Sequence, residues 1–131
     1  MVQMVIAIAL AWLVAQFLLK PAIASFKAGH FVPEAIFWQG GMPSGHAALV
    51  GALVAALVKT NTVYSPLVAV AVVFSGIVLY EALITRNILM RQAEILQGLT
   101  NHKLDRVVGH QPLEVVAGLM VGISISWWLV L

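Results

Sequence analysis

Cysteine is absent from this sequence, which removes disulfide staples and thiolate metal sites from consideration and leaves the redox compartment open. Charge is nearly absent as well. Only 9% of the 131 residues are charged, against roughly 25% in an ordinary soluble domain. No run of like charge is present, and seven Lys/Arg set against five Asp/Glu make no basic patch, so nucleic acid is excluded as a partner. Hydrophobic residues make up 62% of the chain and the mean hydropathy is +1.01. A surface with so little polarity requires lipid rather than water as its solvent. The chain is short enough for one domain, 1–131.

Four apolar segments approach the length that crosses about 30 Å of hydrocarbon. They cover about 2–19, 42–58, 63–85 and 113–131. The expected fold is therefore an all-α integral membrane protein, a bundle of about four transmembrane helices. The first segment lacks the basic n-region and clear cleavage site of a signal peptide. The stretch 86–99 sets Ile88, Leu89, Ile95, Leu96 and Leu99 opposite Arg91, Gln92, Glu94 and Gln97, the pattern of an interfacial amphipathic helix.

Four spans place the N-terminus, the turn at 59–65 and the C-terminus on one face. The opposite face collects Lys20, Lys27, Arg86, Arg91, Lys103 and Arg106 together with all four histidines, leaving only Lys59 behind. Lys/Arg gather on cytoplasmic loops, so this polar face is expected in the cytoplasm, with the inner (plasma) membrane of a prokaryote as the location. The rule does not require the histidines.

Three clusters on that face carry chemistry. Pro43-Ser44-Gly45-His46 opens the second span. Proline suits a first helical turn, and amides at Ser44 and Gly45 in that turn would point at an anion favoured by the helix dipole. His46 beside them could act as acid or base. Lys20 and Lys27 follow the first span, and the plain alternative there is lysines snorkelling at an interface. His110 and Glu114, four apart before the fourth span, can meet on one face. A carboxylate on an imidazole fixes its tautomer and stabilises its cation, as a nucleophilic or basic histidine requires. Pro112 turns Gln111 away from helical geometry, so His110 falls at a cap. Glu81, inside the third span, needs a partner: Arg86, five residues on, is within reach as an ion pair, and Lys20 or Lys27 are the alternatives. Gly118 and Gly122 form a small-residue stripe suited to close helix packing.

These clusters, in this order, resemble the signature of the type 2 phosphatidic acid phosphatase and vanadium-dependent haloperoxidase superfamily. The closer likeness is to its divergent branch, the acid phosphatase/vanadium haloperoxidase-related membrane proteins, carried by Gly40-Gly41-Met42-Pro43-Ser44-Gly45-His46, by Gly109-His110-Gln111-Pro112-Leu113-Glu114-Val115, and by Glu81 with Arg86. The resemblance implies a cofactor-free, metal-independent phosphatase acting on a phosphomonoester or diphosphate of a lipid. It makes His110 the nucleophile, Glu114 its orienting carboxylate in place of the usual aspartate, and His46 the acid for the leaving oxygen. Lys20, Lys27, Ser44, Gly45 and Arg106 would hold the phosphoryl oxygens, with Arg86 or Arg91 as alternative sources of charge. Lys27 stands where the superfamily has arginine, which removes bidentate geometry. The superfamily commonly has about six core helices, so a homodimer through the Gly118/Gly122 surface could complete a four-span chain. A non-catalytic binder or transporter of phosphorylated lipid or anion is the alternative function, and a purely structural membrane subunit is the third. The partners expected are a phosphorylated lipid and the membrane; with the polar face cytoplasmic, glycerolipid phosphates fit better than an isoprenoid carrier recycled outside.

The missing cysteines make the orientation directly measurable. Asn61→Cys is expected to react with a membrane-impermeant maleimide on intact cells and His102→Cys to be protected; the opposite labelling pattern would reverse the orientation.

Overall fold

A computed structural model describes residues 1–38, 40–99 and 109–131, and four helices account for most of them: α1 (Val2–Ala28), α2 (Gly45–Thr60), α3 (Pro66–Leu99) and α4 (Pro112–Leu129). Three of them are long and apolar enough to cross a membrane, while α2 is a shorter apolar helix. At 1.5 Å per residue α2 spans only about 24 Å. It is nevertheless the hub, because α1, α3 and α4 all pack on it and α1 also touches α4.

The helix starts follow capping chemistry. The Ser44 hydroxyl accepts from the Ala47 amide (3.4 Å) ahead of α2, and the Ser65 hydroxyl accepts from the Leu67 amide (3.3 Å) with Pro66 in the first turn of α3. The second helix thus begins at Gly45 rather than at Met42, because Pro43 and Ser44 form its entrance.

Two boundaries differ from the sequence expectation for one reason. The first span does not close at Lys20-Pro21 but continues to Ala28, and the third continues from Pro66 to Leu99 without a break. Each long helix contains a widened π-turn, Val14–Leu19 in α1 and Glu81–Thr85 in α3. In α1 the wide turn lies just before Pro21, whose ring would otherwise collide with the carbonyl four residues back. The segment 86–99 is helical, as its pattern requires, but it is the continuation of α3, not a separate interfacial helix. None of its side chains is buried.

After α1, Gly29 adopts a left-handed conformation (φ 71°), its amide donating to the Ser25 carbonyl (3.0 Å), and reverses the chain. The Ser25 hydroxyl accepts from the Val32 amide (2.9 Å), leading into a short 3-10 turn at Pro33–Phe37. Gln16 donates to the Ile36 carbonyl and Lys20 to the Trp38 carbonyl (3.0 Å), pinning this connection against α1.

Gly118 and Gly122 do not present a surface to a second copy. Both are buried inside the bundle against α2. A Cβ at Gly118 would run into the Ser44 carbonyl, and one at Gly122 into the Ala48 carbonyl. The glycine stripe belongs to the intrachain α2–α4 contact, which corrects the proposed dimer surface.

An added side chain there meets backbone that cannot move aside, so the cost exceeds the roughly 1–3 kcal/mol of an ordinary overpacked core. Gly122→Leu is expected to lose the folded, monodisperse protein in detergent, followed by thermal unfolding. Gly98→Ala, where a Cβ meets nothing within 4 Å, should be tolerated. Equal tolerance of both would contradict the close helix contact.

Candidate functional site

The site is organised around a buried imidazole. His110 is 1% exposed and precedes the Gln111 N-cap of α4. Gln111 is extended, as the following proline dictates (φ −81°, ψ 152°). The His110 Nδ1 lies 2.9 Å from Glu114 Oε2, and that oxygen also accepts from the Gln111 amide (3.2 Å). Glutamate in the first turn thus reaches back to the cap, as in a capping box, and holds the histidine at the same time. An ionised carboxylate accepts only, so this contact assigns the proton to Nδ1 and leaves a lone pair on Nε2. The Nε2 atom is buried and has no hydrogen-bond partner among the described residues. Burial pushes the His110 pKa below 6.5; Glu114 opposes this through its hydrogen bond and charge, and Lys20 and Arg86 add to the lowering. The imidazole is therefore neutral at pH 7.

The π-turn of α3 holds the backbone of this residue. The Arg86 amide bonds back to the Glu81 carbonyl five residues earlier, and the Ala82 carbonyl accepts instead from the His110 amide (3.2 Å). Asn87 donates to the carbonyls of Leu83 (2.6 Å) and His110 (3.3 Å), so both polar backbone groups of His110 are fastened to α3. Gly109 is required beside them, since a Cβ there would run into the Asn87 side chain.

The start of α2 is fastened to the same point. Ser44 is fully buried, and its amide donates to the Glu114 carbonyl (2.9 Å). Its amide and hydroxyl both serve the fold. Among the described residues the helix-start donors without an acceptor are thus the amides of Gly45 and His46, which have no intrahelical partner. Gly45 itself is packed on α1, where a Cβ would approach Gln16 Oε1 to 2.8 Å. His46 is exposed and lies within electrostatic range of His110, Arg86, Glu81 and Lys20.

The expected cations divide into two groups around the His110–Glu114 pair. Lys20 is 2% exposed, its ammonium donating to Gln16 Oε1 (2.8 Å) and the Trp38 carbonyl (3.0 Å). With Lys27 and Glu114 it lines a cavity of 150 Å³. In a separate pocket of 420 Å³ Arg91 joins His110 and Asn87. The Arg86 Nε binds both Glu81 oxygens, at 2.9 and 3.1 Å, the ion pair expected from their spacing. Arg106 lies outside the described residues. Gln16, Asn87 and the Ala82 carbonyl were not singled out by sequence reasoning. For Gln16 and Asn87 the available signal was a polar residue placed four before Lys20 and directly after Arg86. For Ala82 no side chain carries one.

The family described as the Divergent PAP2 family matches residues 2–125. The chain is also 30% identical to the uncharacterized membrane protein YuiD of Bacillus subtilis (strain 168), over 66% of this chain and 68% of that one. No solved structure matches.

The buried, neutral imidazole has a measurable signature. With ¹⁵N-labelled histidine, His110 is expected to reach half-protonation below pH 6.5, with the proton on Nδ1 above it. A folded pKa lower than the unfolded value also means that any stability from this residue is present above pH 6.5 and lost as pH falls through the folded pKa. Half-protonation above 6.5 would contradict the burial, and Glu114→Gln should move the titration further down.

Proposed function

The chain belongs to the Divergent PAP2 family, and on that premise we propose that it is a metal-independent lipid-phosphate phosphatase working through a phosphoryl-histidine intermediate. The observation that carries this reading is His110: a buried imidazole, oriented through Nδ1 by a carboxylate, with its other nitrogen free of any partner among the described residues. A site that only binds an anion needs positive charge but has no use for an oriented lone pair.

In the proposed first step the Nε2 lone pair attacks phosphorus while the bond from phosphorus to the ester oxygen breaks. Protonated His46 gives its proton to that leaving oxygen. Phosphorylation makes the His110 ring cationic, and Glu114 balances the charge. In the second step His46, now neutral, takes a proton from water as the oxygen attacks phosphorus, and the electron pair of the P–N bond returns to Nε2. Inorganic phosphate leaves and both histidines are restored. Phosphoryl transfer asks little of a protein beyond positioning and positive charge around the equatorial oxygens. The amides of Gly45 and His46, with Lys20, Lys27, Arg86 and Arg91, are the groups assigned to those oxygens.

The test uses purified protein in detergent without divalent metal, offered phosphatidic acid, phosphatidylglycerophosphate and prenyl phosphates. Wild type is expected to release phosphate and, on rapid alkaline quench, to carry radiolabelled phosphoryl on His110. His110→Ala should abolish both signals. His46→Ala should slow release by about 10²–10⁴, the usual worth of a general acid. Tight binding of these lipids without release, unchanged by His110→Ala, would replace the enzyme with a non-catalytic binder.

A further inference from the structure

Below the site, α3 and α4 each pack on α2 rather than on one another, and a groove of 460 Å³ lies between them with α2 as its floor. On α2, Val50, Val54 and Val58 follow His46 at four-residue intervals, so His46 heads the line of side chains that forms the floor. The upper end is framed by Val50, by Leu79 two residues before Glu81, and by Leu119 five after Glu114. The groove therefore begins one helical turn below His46 and runs about 12 Å along α2 toward the opposite face. There it is bounded by Val58, Val72 and Trp127. Trp127 is held in place by Lys59, whose ammonium lies 5.4 Å from the ring centre and also donates to the Trp127 carbonyl. The lining has one hydroxyl, that of Ser75, which is turned back to the Ala71 carbonyl (2.7 Å) and offers nothing to an occupant.

We propose that this groove holds one aliphatic chain of the phosphorylated substrate. The inference rests on the phosphatase reading and adds how the lipid is recognised. A phosphoryl group at His110 with its ester oxygen toward His46 directs the rest of the molecule down the His46–Val58 line. The lining is apolar apart from the self-bonded Ser75, which fits a hydrocarbon chain, and a helix from a second copy is an outcome of the test below. Gly76 forms part of the α3 wall, and a Cβ there would meet nothing within 4 Å. It is the position at which a large side chain can fill the groove without moving backbone, which makes it a specificity-determining position.

Two measurements separate this proposal from the function it builds on. The first compares kcat/KM for hexadecyl and butyl phosphate. Gly76→Phe, with Gly76→Leu as the milder variant, should cut the preference for the long chain by about tenfold or more, as hydrophobic pockets discriminate. Val70→Phe, on the exposed face of the same helix, should leave the preference as it was. The second needs no catalysis: hexadecyl phosphate bearing a mid-chain diazirine is photo-cross-linked to wild type and to Gly76→Phe. Adducts on Val54, Val72 and Ile123 that disappear in Gly76→Phe are expected. Adducts spread evenly over exposed residues such as Val70 and Val73, an unchanged pattern in Gly76→Phe, or cross-linked dimers through the groove would overturn the chain site. Groove adducts without phosphate release would sink the phosphatase and keep the groove. Hydrolysis with an unaltered chain preference would do the reverse.

Discussion

Everything at the candidate site depends on how closely α2 and α4 approach. Gly118 and Gly122 leave no side chain between the helices, so the α4 backbone lies directly against the carbonyls of Ser44 and Ala48. Only at that separation can the Ser44 amide reach the Glu114 carbonyl. That one bond joins the start of α2 to the first turn of α4, and so places His46 and the His110–Glu114 pair at one end of one bundle. In a membrane, helices gain nothing from excluding water from one another, and close backbone contact through small residues is how they associate.

The second constraint is the cost of polar groups out of water. Each buried donor and acceptor must find a partner, and the partners found here are what shape the site. The π-turn of α3 leaves the Ala82 carbonyl to His110 in place of a helix amide. The Lys20 ammonium, buried at the end of the other π-turn, is held by Gln16 and the Trp38 carbonyl. Thus both widened turns sit immediately before a cation assigned to the site, Lys20 in one helix and Arg86 in the other. Among the described residues two buried side-chain atoms have no hydrogen-bond partner, the Ser126 Oγ and the His110 Nε2, and only the second lies at the candidate site.

Much of this was legible in the chain of residues. Long apolar runs between sparse charges announced a helical membrane protein. Residues close in sequence declared their own pairings: His110 with Glu114, Glu81 with Arg86, Pro112 with the extended Gln111. Helix ends were less legible, because a proline at 21 reads as a stop. The π-turn that lets the helix pass it is a backbone adjustment with no residue signature. The roles of Gln16, Asn87 and the Ala82 carbonyl were hidden for a related reason: each serves a group that is distant in sequence, and one of them is not a side chain at all. The glycine stripe was correctly read as a packing surface, but which helix it faces is a property of the bundle.

The sequence by itself determined the solvent, the helical class, the family signature and the local pairs, since these rest on composition and on spacings within one or two helical turns. Tertiary structure alone decided that the Ser44 amide ties the two motifs together through the Glu114 carbonyl, that Gly118 and Gly122 face α2 rather than a second copy, that His110 hangs from α3, and that an apolar groove runs along α2 from Val50 to Val58. Those facts depend on the distances between helices, and interhelical distance is set by the fit of whole surfaces, which no local pattern encodes.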